Sequence, residues 1–371
     1  MAPTRPARDV RLDVLRGWMQ LSIFISHAGT AGFVWLIHAN WGASDSSEQF
    51  MLLSGITLGS VFTLKRVRDG FAAAMADMRR RALGLWRRHL LVFIAFGTMV
   101  VVASTIPGSL VDPTEHGWCW VLREPWFAVP AAALLLHTPP FMDILPIFVL
   151  CMLVLPGFVW LLERFGDRAL ILPFGLYGLS QMGVEVPSLG PTASGFAPLA
   201  WQLLFLFGVW IGRRTLLGAP NLPRPAWLWR VAVAVLLLGA WVRLGQLGVA
   251  PAAPEALVAL VHKPSLAPLR LLHALLLAWL VVQLLPAPGP WLETAPARLL
   301  AMIGRNSLDV FCAGLFLSWI LATLFGALPE HGLAIELLGI PAGVALLSGL
   351  AWYVGRPKPA PAYKLATARS Q

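Results

Sequence analysis

Charged side chains are scarce in this chain. Only 12% of its 371 residues are Asp, Glu, Lys or Arg, against 58% hydrophobic. Soluble domains carry roughly twice that charged share, so a soluble domain of notable size is excluded. Cysteine is scarcer still. Cys119, Cys151 and Cys312 are scattered, and they form neither a disulfide framework nor a metal-type spacing. There is no Gly-rich phosphate loop, no Gly-x-Ser-x-Gly elbow, no zinc spacing and no internal repeat. No metal and no tightly bound cofactor is therefore expected.

What the chain has instead is long apolar runs that recur to its C-terminal end. They predict an all-α, polytopic membrane protein with about ten transmembrane helices, at residues 16–38, 48–65, 88–107, 141–162, 168–184, 198–217, 228–247, 267–286, 300–324 and 334–354. Each is long enough to cross, or nearly cross, a ~30 Å core. Residues 168–184 are the weakest, because Gly and Pro interrupt them. The first run is long and no small-x-small site follows it, so it reads as a retained helix rather than a cleaved signal. Residues 1–356 form one transmembrane domain in this reading, and the Pro- and Ala-rich stretch 357–371 reads as a disordered tail.

Acidic residues are fewer than basic ones, 18 against 28, for a net charge of +10. An even number of crossings puts both termini on one side. With both in the cytosol, 24 of the 28 basic residues lie inside and only Arg123, Arg243, Lys263 and Arg270 lie outside. Orientation accounts for the positive charge, and no nucleic acid is needed as a partner. The basic stretch 66–87 reads as an amphipathic helix on the anionic leaflet. The outer stretch 108–140, with Trp118, Trp120 and Trp126, reads as an interfacial aromatic element.

Polar residues inside the apolar runs carry the functional signal, since an ionisable group in a membrane helix is costly without partners or water. Asp13, Arg16, Gln20 and His27 fall along one stripe of the first helix. Arg16 and His27 are almost three turns apart, roughly 16 Å. His27 is suited to proton exchange near neutral pH. Asp45 and Glu48 open the second helix one turn apart, at the same outer depth. They could orient and charge-stabilise His27 as catalytic partners, or form a capping box, and the two are compatible. Asp143 opens the fourth predicted helix as a substrate contact or a dipole partner. Lys263, Arg270 and His273 are basic where positive charge is avoided, which calls for an anionic partner: a carboxylate of this chain or one on a substrate. Trp201 and Gln202 could stack on and bond to a sugar, or pack in the core. On the inner side Arg16, Arg80, Arg87, Arg305 and Asn306 could hold a phosphate-bearing donor; a lipid-facing basic surface, a cap at Asn306 and a pair between Arg16 and Asp13 are the plainer meanings.

These residues also resemble a known family. Arg16-x10-His27 resembles the Arg-to-His signature of the transmembrane acyltransferase superfamily. Arg8-Asp9-x-Arg11-Leu12-Asp13-x-x-Arg16-Gly17, Ser44-Asp45-x-x-Glu48, Asp143-Ile144-Leu145-Pro146, Trp201-Gln202-Leu203 and Gly304-Arg305-Asn306-Ser307-Leu308 are similar to the OpgC type, the succinyltransferases of osmoregulated periplasmic glucans. The likeness runs in order from residue 8 to about 320. It implies O-succinyl transfer from cytosolic succinyl-CoA, a co-substrate, to glucose hydroxyls of a periplasmic glucan, by a multi-pass protein of the bacterial inner membrane. The expected partners are acyl-CoA, glucan and the lipid bilayer; a homo-oligomer is left open. An acetyltransferase acting on surface polysaccharide and a transporter of an anionic glycan or metabolite are the rival readings.

Overall fold

The computed structural model describes residues 8–113, 117–189, 195–219 and 225–356. The predicted tail 357–371 lies outside the described residues. The described residues are helical with no strand. The helices are α1 (Val10–His27), α2 (Ser46–Asp69), α3 (Phe71–Ser104), α4 (Cys119–Arg123), α5 (Pro125–Ala133), α6 (Ile144–Phe165) and α7 (Ile171–Gln181). After them come α8 (Pro198–Leu216), α9 (Ala226–Gln246), α10 (Glu255–Ala259), α11 (Pro268–Leu284), α12 (Ala295–Arg305), α13 (Ser307–Ala327), α14 (Gly332–Ala334) and α15 (Ile340–Val354). Six helical stretches among the described residues are long and apolar enough to cross a membrane: Ser46–Asp69, Phe71–Ser104, Ile144–Gln181, Ala226–Gln246, Ser307–Ala327 and Pro329–Val354.

Small residues set the two tightest pairings. Gly55 and Gly59 of α2 face the backbone of Phe205 and Val209 on α8, and Gly208 and Gly212 face the backbone of Leu52 and Ile56 in return. A methyl group at Gly55 or Gly208 would overlap a carbonyl of the other helix, so the axes approach as closely as small-x-x-x-small interfaces allow. Gly17 of α1 and Gly304 of α12 do the same against Leu300 and Asp13. These pairings lock the second helix and the first, which carry the chemically interesting residues, into a fixed frame.

Three expectations need correction. The first helix was expected to run to 38, but it stops at His27. Gly29 turns there with φ +77°, and two short 3-10 turns follow at Phe33–Leu36 and His38–Asn40. This apolar segment folds inward, so its backbone needs partners. Glu336 supplies them, accepting the amides of Gly32 and Phe33 at 2.6 Å. Second, the basic stretch 66–87 is not a separate surface helix. Gly70 (φ +89°) ends α2, and α3 then runs unbroken for 34 residues, since nothing stronger than two isolated glycines, Gly84 and Gly97, interrupts it. Third, Trp118 is not an interfacial residue. It is buried, stacked on Phe96 with ring centroids 5.9 Å apart, and Gly97 leaves room for its ring. Trp126 is the exposed one.

Candidate active site

His27 ends α1 and faces a cavity of about 520 Å³. Its Nδ1 lies 2.9 Å from the carbonyl oxygen of Ile23, one turn back, and 3.0 Å from Ser26 Oγ. A carbonyl only accepts, so this bond places the proton on Nδ1 and leaves the lone pair on Nε2. Phe141 packs against the ring at 5.3 Å between centroids. The imidazole is therefore held in one tautomer and one orientation, as a general base must be. Its orienting partner is the Ile23 carbonyl. The sequence suggested a carboxylate for that task, and Asp45 is engaged elsewhere.

Asp45 is the N-cap of α2, in a capping box with Glu48: Ser47 N–H donates to Asp45 Oδ1 at 2.7 Å and Asp45 N–H donates to Glu48 Oε2 at 2.8 Å. The same carboxylates are ion-paired. Lys263 Nζ lies 2.7 Å and Arg270 Nη2 2.9 Å from Asp45 Oδ2, and Arg270 Nε lies 2.5 Å from Glu48 Oε1. Burial alone would raise the Asp45 carboxyl, but the charges of Lys263 and Arg270 outweigh it and hold it well below the usual carboxylate range. Burial likewise works against the Lys263 ammonium, and Asp45 and Glu48 together still push it up. Asp45, Lys263 and Arg270 line the cavity with His27. Glu48 does not. It is fully buried behind Arg270 with both oxygens spent, so it positions Arg270 and cannot reach a substrate as the expected catalytic carboxylate.

The remaining expected contacts divide cleanly. His273 is buried beneath the cavity; its Nδ1 is 2.8 Å from Ser44 Oγ and its Nε2 accepts the Ala43 N–H at 3.4 Å. Gly42 and Gly239 make room for that ring. Trp201 is fully buried and donates its indole N–H to the carbonyls of Lys263 and Pro264. It shapes the loop that presents Lys263 and offers no face to a sugar. Gln202 is buried as well and bonds the Pro173 carbonyl at 2.8 Å. Asp143 opens a separate, much smaller cavity of about 30 Å³ with Thr138 and Pro198.

A second cavity of about 300 Å³ lies lower on α1, lined by Arg16, Ser54, Thr57, Arg81 and Ser307 among apolar residues. Arg16 donates from Nη2 to the Thr57 hydroxyl. Asp13 pairs with Arg8 at 2.7 Å and with Arg305 at 3.6 Å, and it forms no direct ion pair with Arg16. Gln20, between the two cavities along α1, is buried with its Nε2 unpartnered. Arg80 is exposed and pairs with Asp77 at 3.4 Å, and Arg87 is exposed. Asn306 donates to the carbonyls of Met302 and Ala351, both at 3.0 Å. It ties the break between α12 and α13 to α15 and does not line the cavity.

Two members of the site around His27 were not expected from the sequence. Asn40 and Arg243 both line the cavity, and Arg243 Nη2 donates to Asn40 Oδ1 at 2.9 Å. Arg243 did carry a signal. It is one of the four basic residues that the orientation expected from the sequence leaves outside, and three of those four (Arg243, Lys263 and Arg270) converge on the cavity that holds His27. Asn40 and the buried Glu336 carried none.

The family model described as OpgC protein matches residues 8–358. The chain belongs to the OpgC family. No curated protein and no solved structure matches it. With its apolar helices, membership makes it a membrane enzyme of the acyltransferase type.

Proposed function

We propose that this OpgC-family protein transfers a succinyl group from cytosolic succinyl-CoA to a glucose hydroxyl of a periplasmic glucan, in the bacterial inner membrane. Ten crossings with both termini cytosolic put the His27 cavity at the periplasmic side and the Arg16 cavity at the cytosolic side. The observation that carries this reading is His27: a ring with its Nε2 lone pair free, fixed from behind by Ile23, facing a cavity lined by three cations. In the transfer, the hydroxyl oxygen attacks the thioester carbonyl carbon while Nε2 takes the hydroxyl proton. The carbon–sulfur bond then breaks, and that proton leaves with the thiolate. The transient oxyanion needs donors nearby, and Lys263 and Arg270 are the cations closest in kind to that task.

Arg16 and Arg81 supply a phosphate-compatible inner cavity for the donor. Arg80, Arg87 and Arg305 add positive charge outside it. The two cavities share α1, about three turns apart, which suits an acyl group presented from one side and accepted on the other. The test is purified protein in detergent with succinyl-CoA and a β-glucan. A glucan carrying the mass increment of succinyl supports the reading, an acetyl increment with acetyl-CoA alone supports the acetyltransferase, and no ester with either donor removes acyl transfer and leaves transport.

A further inference from the structure

The cations of the outer cavity are not equally occupied. Lys263 and Arg270 are neutralised by Asp45 and Glu48. Arg243 has no carboxylate within ion-pair distance among the described residues. Among the described residues its one hydrogen bond to a side chain goes to the neutral amide of Asn40, and its Nε–H is buried without a partner. A buried donor left unpaired costs free energy, and a guanidinium with free N–H groups matches a planar carboxylate in two-point geometry. The lining of the same cavity also includes the apolar side chains of Ile37, Val242, Val258 and Val261.

We infer that Arg243, steadied by Asn40, binds the free carboxylate of an acyl group that ends in one, and so selects a dicarboxylic acyl group over a neutral one. The inference rests on the acyl-transfer reading and names the residue that would set its acyl preference. A neutral glucan offers nothing that requires a guanidinium left without an ion pair. The phosphates of a CoA donor are a different anion and belong, in the reading above, to the Arg16 cavity.

The test is an internal competition. Purified protein receives glucan with equal amounts of succinyl-CoA and acetyl-CoA, and the ratio of the two esters is read by mass spectrometry. Because the ratio is taken within one sample, it is independent of how much protein is folded. Wild type should favour succinyl, and Arg243→Gln should lower the ratio roughly tenfold or more, since a site built around a substrate's polar group discriminates against the analogue lacking it. An unchanged ratio in Arg243→Gln, or no succinyl preference in wild type, overturns the inference. Thermal shift with free succinate, propionate and inorganic phosphate covers a variant that makes no ester. Succinate should raise the wild-type midpoint more than propionate does, and Arg243→Gln should erase the difference. No difference in wild type, or an equal Arg243-dependent gain from phosphate, overturns it. If wild type forms no ester with either donor, acyl transfer fails, and the succinate shift still decides whether Arg243 is a carboxylate site.

Discussion

Asp45 does two jobs that one substitution can separate. As an N-cap it needs only a side-chain oxygen, and Asn serves that purpose as well as Asp. As the anion between Lys263 and Arg270 it needs its charge. Asp45→Asn should therefore keep α2 intact by circular dichroism while lowering transfer strongly, because Lys263 loses its ion-pair partner and Arg270 is left with Glu48 alone. A fully active Asp45→Asn protein would reduce Asp45 to a cap. The same ion pairs fix a pH dependence. A carboxyl held below its ordinary value in the folded protein contributes stability above the unfolded pKa of about 4 and loses it as pH falls further. The difference in thermal midpoint between wild type and Asp45→Asn should be constant from neutral pH down to about pH 5 and shrink below about pH 4. A difference that instead varies across neutral pH would place the titration elsewhere. His27 and Asp45 stood out in the sequence because ionisable groups are rare in apolar surroundings. Their division of labour did not, because hydrogen bonds to backbone carbonyls such as that of Ile23 leave no mark on residue identity.

Two packing arrangements hold the site in place. The α2–α8 pair depends on Gly55 lying against the Phe205 carbonyl. Gly55→Val should force the helices apart and cost about 1–3 kcal/mol, the usual range for overpacking. The expected result is a lower thermal midpoint and poorer folded yield; an unchanged midpoint would mean the interface has slack that the geometry denies. The inward segment after His27 depends on Glu336, whose carboxylate accepts two amides at 2.6 Å. Both of those amides meet the same oxygen, so Glu336→Gln can keep them on its amide oxygen, but it loses the charge and turns the oxygen facing the Ala31 N–H into a donor, at about 1–3 kcal/mol. Since that segment carries Asn40 into the cavity, transfer should fall along with stability. Activity retained at full level with a lowered midpoint would limit Glu336 to folding. Helix positions were largely legible from hydropathy, and the Gly55-x-x-x-Gly59 motif from spacing. The early end of α1 was not. Residues 28–40 are as apolar as the helix before them, and what bends them inward is a glycine turn and a carboxylate roughly 300 positions away in the chain.

At the scale of the whole molecule, the distribution of basic residues holds two kinds of information. In the proposed topology 24 of the 28 lie inside, and three of the four exceptions line one cavity with His27. The proposed topology makes a direct prediction. In a cysteine-free background, Arg123→Cys should react with a membrane-impermeant maleimide added outside spheroplasts, and Arg68→Cys should not; both positions are exposed. The opposite pattern would invert the protein and move the His27 cavity to the cytosol. The family and the membrane class could be read from motifs and composition; the convergence of distant cations could not, because it depends on how α2, α9 and α11 pack. The most direct measurement is succinyl transfer to glucan by purified wild-type and His27→Ala proteins, with matched circular dichroism and thermal midpoints. Loss of a general base should lower the rate by ~10²–10⁴ with the fold unchanged. A His27→Ala protein that succinylates glucan at the wild-type rate would contradict the assignment of this cavity as the site of transfer.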